Sequence, residues 1–245
     1  FQVKAKGNVI VNGVVEGAYI EAGGDIIIAR GMNGMGKGCL KAGRDIVTKF
    51  LENATAEADG YVSTSSIVHS RVSAGTEIVV TGRRGFITGG HVQAAEKVDV
   101  KTLGAVMGAA TLVEVGVNPQ LKARHQQLQK EIGEIVRVIR DAQPVIVNFS
   151  QKKAKGARFT PDQLKHVKEA AQLLETKKLE LERRNEEMKE LQNLFSTDKR
   201  AAVLVRGEVY PGTTIIIGDA STVVQSNLKY CRFERVSGDV KMLPL

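Results

Sequence analysis

A short pattern that recurs at nearly constant spacing constrains this chain more than any other feature. A small residue and a glycine are followed by two or three β-branched residues in the segments 22–28 (AGGDIII), 42–47 (AGRDIV), 74–80 (AGTEIVV) and, in a weaker copy, 94–100 (AAEKVDV). The spacing from Gly23 to Gly43, and again from Gly75 to Ala95, is about 20 residues, which with short strands is typical of a solenoid. The gap from Gly43 to Gly75 is wider.

Each coil of a solenoid leaves its apolar side uncovered, so neighbouring coils stack at about 4.8 Å per rung into one continuous core. The pattern therefore predicts a mainly β protein built as a right-handed parallel β-helix. The unequal gaps indicate turns of variable length, which argues against the strict six-residue period of left-handed acyltransferase helices. Composition agrees, because thin coils are filled by Val, Ile and Ala, and this chain has 4% aromatic residues, no Trp and 25 glycines.

The pattern changes to that of a helix at Val117-Asn118-Pro119, where Asn suits a helix N-cap and Pro suits the first turn. A heptad stripe follows, formed by Leu121, Leu128, Ile132, Ile135 and Ile139. Pro144 predicts the end of this helix, after about 24 residues and roughly 36 Å.

A second helix is predicted from Thr160 onwards, with Thr160 as N-cap, Pro161 in the first position and Gln163 completing a capping box. Its stripe comprises Leu164, Val167, Ala171, Leu174, Leu181 and Met188, with Lys178 and Asn185 as polar interruptions. Two long helices with one apolar seam each predict an antiparallel coiled-coil hairpin. The alternative is a pair of unrelated surface helices.

The β pattern returns after residue 200, with AVLVRG at 202–207 and GTTIIIG at 212–218. We therefore predict three segments: residues 1–118 as the first part of the β-helix, 119–200 as an inserted α-helical hairpin, and 201–245 as the closing part. On this interpretation Val98 and Val100 share one core with Val203 and Val205.

Several of these motifs resemble the flagellar assembly protein A family. The run 203–212 (VLVRGEVYPG) with the following IIIG is similar to the family's closing β motif, and the Gly24-Asp25-Ile26 repeat, His69-Ser70, Gly89-Gly90 and the segment 115–119 (VGVNP) match its other motifs in the same order. The resemblance spans nearly the whole chain. It implies a β-helix interrupted by a coiled coil, preceded in the family by an N-terminal domain, so we expect the chain to be a fragment that begins at Phe1.

The resemblance also implies a function. It suggests a non-enzymatic bacterial scaffold or adaptor in flagellar assembly or polar flagellar placement, cytoplasmic and located at the cell pole, that binds polar or flagellar-regulatory proteins. Two alternatives stay open: a nucleic-acid-binding protein, and a self-polymerising scaffold like the bactofilins, in which the chain forms a homo-oligomer.

Charge is concentrated in the predicted hairpin. Residues 119–200 carry 18 basic and 12 acidic side chains, whereas residues 1–118 and 201–245 are nearly balanced within a net charge of +8. Lys152, Lys153, Lys155 and Arg158 form a basic cluster at the hairpin's end, which we interpret as a candidate partner-binding site. Nucleic acid is the less favoured partner, because Phe149 and Phe159 only flank the cluster and no aromatic residues are interleaved for base stacking.

Other motifs do not predict an active site. Residues 31–38 (GMNGMGKG) approach a phosphate-binding loop around Lys37, but Gly38 replaces the Ser or Thr that holds magnesium, and a strand-like segment follows. His69 and Ser70 are adjacent, so on a strand their side chains point to opposite faces. The four histidines and the cysteines Cys39 and Cys231 lack metal-ligand spacing. We expect no catalytic, cofactor-binding or metal-binding residues and no membrane span. We also expect both cysteines to be reduced thiols.

Overall fold

The computed structural model describes residues 1–156, 159–195 and 201–245. In chain order the elements are β1 (Gln2–Ala5), β2 (Val9–Val11), β3 (Val14–Glu16), β4 (Tyr19–Ala22), β5 (Ile26–Ile28), β6 (Gly31–Ala42), β7 (Ile46–Thr48), β8 (Leu51–Ala58), β9 (Val62–Thr64), β10 (Ser66–Ala74), β11 (Glu77–Val80), β12 (Phe86–Ala94), β13 (Lys97–Leu103), β14 (Thr111–Val115), α1 (Pro119–Ala154), α2 (Pro161–Phe195), β15 (Ala202–Val209), β16 (Thr213–Ile217), β17 (Ala220–Val223), β18 (Leu228–Val236) and β19 (Asp239–Pro244). The described residues form two compact units, one of residues 1–120 and 201–245 and the other of residues 121–195.

The first unit is a parallel β-solenoid of three strand columns, as the repeat predicts. The first column contains β1, β4, β6, β8, β10, β12, β14 and β16, each paired in parallel with the next. The second contains β2, β5, β7, β9, β11, β13 and β15. The third begins with β3. It continues through the first residues of β6, β8, β10 and β12 and the last residues of β13 and β15. No observation in the structure tests the right-handed winding, which stays a prediction.

The core of the solenoid consists of apolar side chains that point inward from each column and repeat from rung to rung. The second column contributes Ile26, Ile46, Val62, Ile78, Val98 and Val203, all fully buried. The third contributes Val15, Met32, Leu51, Ile67, Ile87, Leu103 and Val209. Burying one such aliphatic side chain contributes about 1.5–3 kcal/mol.

A corner that has an alanine in each of six successive rungs shows the true length of these coils. The small residues that pair in succession along this corner are Ala5, Ala22, Ala42, Ala58, Ala74 and Ala94. The wide gap in the sequence pattern therefore contains two short coils, one from Ala42 to Ala58 and one from Ala58 to Ala74. The segment 58–64 is a rung that the sequence pattern did not reveal.

The aspartates that precede the β-branched residues of two repeats hold successive rungs together. The side-chain oxygen of Asn8 accepts a hydrogen bond from the backbone N–H of Asp25 at 2.8 Å, and Asp25 in turn accepts from the N–H of Asp45 at 3.3 Å. Asp45 accepts from the N–H of Tyr61 at 2.9 Å, which extends the ladder into the rung that the pattern missed. An acceptor of this kind satisfies a corner N–H that no strand partner reaches.

The strands on either side of the helical segment belong to adjacent rungs. Val98 pairs with Val203 and Val100 with Val205, and β14 pairs with β16, as the matching β patterns predict. Beyond these rungs the pairing becomes antiparallel, since β18 pairs with β15, β19 with β18, and β17 with β16. This antiparallel set covers the last parallel rung.

The second unit consists of α1 and α2, and α1 differs from the sequence-based expectation. It spans 36 residues and continues through Pro144, which was predicted to end it. An internal proline removes one hydrogen bond and costs about 3 kcal/mol, but its φ is helical. Apolar residues beyond it, Ile146 and Phe149, are half-buried. α2 spans 35 residues and begins at Pro161, the predicted first position.

The protected stripes of the two helices also correct the predicted seam. In α1 Leu128 and Ile135 are buried and Ile132 and Ile139 half-buried, as expected. In α2 the predicted Leu164 and Ala171 are exposed. The protected stripe contains Val167, Ala170, Leu174, Lys177, Leu181, Arg184, Met188 and Leu191, and Glu180 and Glu187 beside it are half-buried. The polar interruptions of the stripe are therefore Lys177 and Arg184. Each lies one residue before the predicted interruption, which was Lys178 in the first case and Asn185 in the second.

Candidate functional site

The basic cluster predicted from the sequence lies at the end of α1. Lys152 and Lys153 are in the last turn of the helix and Lys155 follows it, and all three side chains are exposed. Cations are favoured here because the helix carries a partial negative charge at its C-terminus. The fourth predicted residue, Arg158, lies outside the described residues.

A glycine and a capping box define the two ends of the connection between the helices. Gly156 adopts a left-handed φ of 78° and its N–H donates to the carbonyl oxygen of Lys153 at 3.0 Å, which ends α1 in the usual way. At the start of α2 the Gln163 N–H donates to Thr160 Oγ1 at 3.3 Å, and the Thr160 N–H donates to the Gln163 side chain at 3.1 Å. The predicted capping box is confirmed.

Two phenylalanines that sequence analysis treated as flanking residues lie in contact with each other. The rings of Phe149 and Phe159 have centroids 4.3 Å apart and planes inclined at 41°. Such aromatic pairs contribute about 0.5–1.5 kcal/mol beyond the burial of their area. The pair connects the last turns of α1 to the residues before α2, so the lysines are presented on a segment whose two ends are fixed.

The described lysines of the cluster have no acidic partner. Within residues 1–156, 159–195 and 201–245, no carboxylate lies within ion-pair distance of Lys152, Lys153 or Lys155. Their charge is therefore exposed to solvent and available to an acidic ligand. The surrounding sequence is consistent with this, since no Asp or Glu lies between residues 142 and 161.

The remainder of the helical unit carries its charge differently, in a network that links the two helices. Arg124 of α1 contacts Glu187 of α2 at 2.5 and 2.9 Å, and Arg184 of α2 forms an ion pair with Glu131 of α1 at 3.1 Å. Arg184 also contacts Glu187 at 3.1 Å. Hydrogen bonds from Arg124 lower the pKa of Glu187 below its ordinary value. Sequence analysis missed this network because it depends on the register between the helices.

The glycine-rich segment 31–38 does not have the geometry of a phosphate-binding loop. It is part of the long strand β6, and Gly38 is followed by more of that strand and not by a helix. Met35 and Gly36 form a left-handed bulge with φ values of 52° and 74°. A phosphate-binding loop presents the amides of a helix N-terminus, which this strand does not supply.

His69 and Ser70 both shape a corner of the solenoid. Ser70 is buried; its hydroxyl donates to the Val68 carbonyl at 2.8 Å and accepts from the Ala54 N–H at 3.1 Å. His69 is exposed, has a φ of 45°, and its ring occupies the space where a side chain at Gly89 would lie. The two side chains point in opposite directions, as predicted, and the glycine of the next rung makes room for the imidazole.

The other histidines and the cysteines have separate environments. His91 Nε2 lies 3.2 Å from the buried carboxylate of Glu114, and His166 is exposed beside Glu169 at 3.7 Å. Both cysteines are free thiols, and burial raises the pKa of each. Among the described residues no group of His, Cys, Asp and Glu has the geometry to hold a metal ion. None of the described helices is long and apolar enough to cross a membrane.

The model of the flagellar assembly protein A β-solenoid domain (FapA) matches residues 1–240. No curated protein matches the chain significantly, and neither does any solved structure.

Proposed function

Because this chain belongs to the flagellar assembly protein A β-solenoid family, we propose that it is a non-enzymatic scaffold that binds other proteins during flagellar assembly. The solenoid is the rigid body of this scaffold, wound in the right-handed sense that parallel crossover connections favour. It acts in the cytoplasm, at the cell pole. The helical segment 119–200 is an insertion that carries the main docking site.

The two helices of this segment form an antiparallel coiled-coil hairpin in our proposal. The support is the protected stripe of α2, in which Val167, Ala170, Leu174 and Lys177 begin an alternation of three and four residues that continues to Leu191. Such an alternation is the heptad spacing of coiled coils. Two ion pairs also support it, one between Arg124 and Glu187 and one between Glu131 and Arg184. The residue numbers of the partners increase along α1 and decrease along α2, as they do between antiparallel helices.

The observation that carries the docking site is the set of exposed lysines without acidic partners at the end of α1. A helix of 36 residues is about 54 Å long, so its end is well separated from its start. In our proposal Lys152, Lys153, Lys155 and Arg158 bind an acidic surface of a partner protein. Charged groups at the rim of an interface act mainly by accelerating association.

The test is a fourfold charge reversal of Lys152, Lys153, Lys155 and Arg158 to Glu. Partners are first isolated with the unaltered chain from a lysate of a flagellated bacterium and identified by mass spectrometry. The affinity of each purified partner is then measured at low salt by biolayer interferometry. We expect the reversal to slow association and weaken binding at least about tenfold. Stability should hardly change, since exposed charges contribute about 0–1 kcal/mol each.

A matched control carries the same change of charge elsewhere on the helices. Reversal of Lys130, Lys168, Lys178 and Lys189 to Glu makes the same change in net charge, at four exposed lysines. This variant should retain the affinity of the unaltered chain for its partner. An equal loss of affinity in both variants would indicate a response to net charge, and unchanged affinity in the first would remove the docking site from the end of the hairpin.

The other two function classes give different results in the same preparation. A DNA-binding protein would bind a labelled duplex with an affinity that falls steeply between about 50 and 200 mM salt. A self-polymerising scaffold would sediment as larger species when its concentration rises. The non-enzymatic proposal is tested by calorimetric titration with Mg-ATP, for which we expect no heat of binding. Binding that Lys37→Ala abolishes would contradict it.

A further inference from the structure

A basic groove lies on the third strand column of the solenoid, far along the sequence from the lysines of the helical unit. It encloses about 510 Å³. Its wall contains three cations and two aromatic rings, from Arg83, Arg84, Lys101, Phe86 and Tyr210. The remainder of the lining is Thr88, Thr102, Gly104, Ala105 and Val106.

The turn between β11 and β12 places the two arginines at the groove. Gly82 and Gly85 bound this turn with φ values of 124° and 50°, which side chains rarely adopt. The carbonyl oxygen of Gly85 accepts hydrogen bonds from the backbone N–H groups of Lys101 and Thr102, at 3.1 and 2.9 Å. Lys101 Nζ donates to the carbonyl oxygen of Arg83 at 3.1 Å. The turn is therefore fixed to β13, and neither guanidinium group forms an ion pair with any residue that the structure describes.

The three cations of the groove lack carboxylate partners, unlike their neighbours in the same rungs. Arg206 donates to both oxygens of Asp99, at 2.8 and 2.7 Å, and Lys229 pairs with Glu208 at 2.6 Å. Across the described parts of the chain no carboxylate lies within ion-pair distance of Arg83, Arg84 or Lys101, although all three are exposed. The groove therefore carries an uncompensated positive charge.

An acidic side chain in register with the groove already has a cationic partner. Glu208 pairs in register with the groove residue Thr102. Its carboxylate forms an ion pair with Lys229 and accepts a hydrogen bond from Tyr210 Oη at 2.8 Å. An anionic ligand in the groove therefore meets little repulsion from this carboxylate.

Apolar side chains adjoin these charges. Val106 and the next residue, Met107, are 82% and 97% exposed, in the loop between β13 and β14. The loop begins at Gly104, whose carbonyl oxygen accepts from Thr88 Oγ1 at 3.2 Å. A protein segment with acidic and apolar residues would complement this surface, because its carboxylates would pair with the cations and its apolar side chains would cover the exposed apolar ones.

We infer that this groove binds an extended, acidic segment of a partner protein that carries an apolar or aromatic side chain between its carboxylates. The carboxylates would pair with Arg83, Arg84 and Lys101, and the apolar side chain would pack against Phe86 and Val106. Nucleic acid is the weaker candidate, because a phosphate backbone would leave Val106 and Met107 uncovered. The inference does not depend on what binds to the lysines of the helical unit.

The test uses a random-peptide display library panned against the purified full chain. We expect the selected peptides to be rich in Asp and Glu with interspersed Leu, Ile, Phe or Trp. The enriched peptide is synthesised with a fluorescent label and its dissociation constant measured by anisotropy. Simultaneous reversal of Arg83, Arg84 and Lys101 to Glu should weaken binding at least about tenfold. Replacement of Val106 and Met107 by Ser should weaken it about fivefold.

A control with two charge reversals lies on the same side of the solenoid, outside the groove. Arg30 and Lys49 are exposed and form no ion pair within the described residues, and they belong to earlier rungs. Reversal of both to Glu should leave peptide affinity within about twofold. Circular dichroism and melting temperature, measured on every variant, separate loss of binding from loss of fold.

Each remaining outcome would overturn the inference. A library that yields no enriched peptide, peptides without acidic residues, or peptides that bind the groove variants as well as the unaltered chain would each refute it. Labelled oligothymidine that binds more tightly than the peptide, with a steep salt dependence abolished by the triple reversal, would assign the groove to single-stranded nucleic acid instead. The fourfold variant of the helical unit should still bind the peptide, so failure of one site does not imply failure of the other.

Discussion

Gly90 lies where two rungs of the solenoid approach each other too closely for any side chain. Its φ is 86°, and it pairs in register with Ser70 of the preceding rung. A β-carbon built at Gly90 would overlap the carbonyl oxygen of Ser70 and lie 2.7 Å from its nitrogen. Both atoms belong to the backbone of a buried strand, which cannot move aside as a flexible side chain would. We therefore predict that Gly90→Ala strongly destabilises the solenoid.

The expected magnitude has two parts, and a second glycine separates them. A left-handed φ costs an L-residue about 1–2 kcal/mol, and overpacking in a filled core adds about 1–3 kcal/mol. Gly212 has nearly the same φ, 81°, but a β-carbon there would have no neighbour within 4 Å. Gly212→Ala should therefore lose about 1 kcal/mol and Gly90→Ala about 3 kcal/mol.

The assay is thermal melting followed by the amide I infrared band of β-structure, which separates the solenoid from the helices. For a unit of this size each kcal/mol shifts the melting temperature by about 2–4 °C. The expected decreases are about 6–12 °C for Gly90→Ala and about 2–4 °C for Gly212→Ala. A Gly90→Ala variant that melts within about 2 °C of Gly212→Ala would refute the reasoning, because the contact between rungs would then add nothing to the backbone strain.

Three further predictions concern the insertion, the corner ladder and the helical unit. Replacing residues 119–200 by a short Gly-Ser linker should leave a folded β protein with a cooperative melt, because the rungs on either side pair directly; loss of the β circular dichroism signal would contradict this. Asp45→Ala should lower the free energy of unfolding by about 1 kcal/mol, since it removes the acceptor for the Tyr61 N–H. Asp45→Asn keeps an acceptor and should change the free energy of unfolding little. Equal losses for the two variants in denaturant melts would argue against the ladder. The folded-state pKa of Glu187 is lowered, so its ion pair stabilises the helices above the unfolded-state pKa of about 4.5, and this contribution is lost as the pH falls through the folded-state pKa. Thermal melts followed at 222 nm should therefore depend less on pH in Glu187→Gln than in the unaltered chain. An unchanged pH dependence would exclude this ion pair as its source.

The sequence alone was sufficient for features that depend on local chemistry. The repeat of a small residue, a glycine and β-branched residues predicted the solenoid, because only inward apolar positions at matching intervals allow coils to stack. It also predicted that Val98 and Val203 share a core. The capping box of Thr160 and Gln163 was predictable since all its atoms lie within one turn.

The repeat in the sequence did not predict the rung at residues 58–64. Its segment, ADGYVST, has a single large aliphatic residue, Val62, and ends in polar residues. Thr64 is nevertheless buried at 2% exposure, and its hydroxyl donates to the Ser66 carbonyl at 3.3 Å. A polar residue can occupy an inward position when a nearby carbonyl satisfies it, and that condition is set by the folded corner.

The phase of the seam in α2 was also decided by the tertiary structure. Lys177 and Arg184 occupy protected positions that apolar periodicity assigns to neighbouring residues, because their aliphatic stems pack while their charges reach the surface. Arg184 gains a partner there, Glu131 of the other helix. In the same way, the extent of α1 beyond Pro144 depends on contacts such as that of Phe149 with Phe159.

The two candidate binding surfaces show the same division. The lysines at the end of α1 lie within four positions of one another, so their cluster could be read from the sequence. The groove unites Arg83, Lys101 and Tyr210, which are far apart in the chain and meet only because their rungs are adjacent. Composition and periodicity determined that rungs would form; the lengths of the coils, which only the packed core fixes, decided which side chains share a surface.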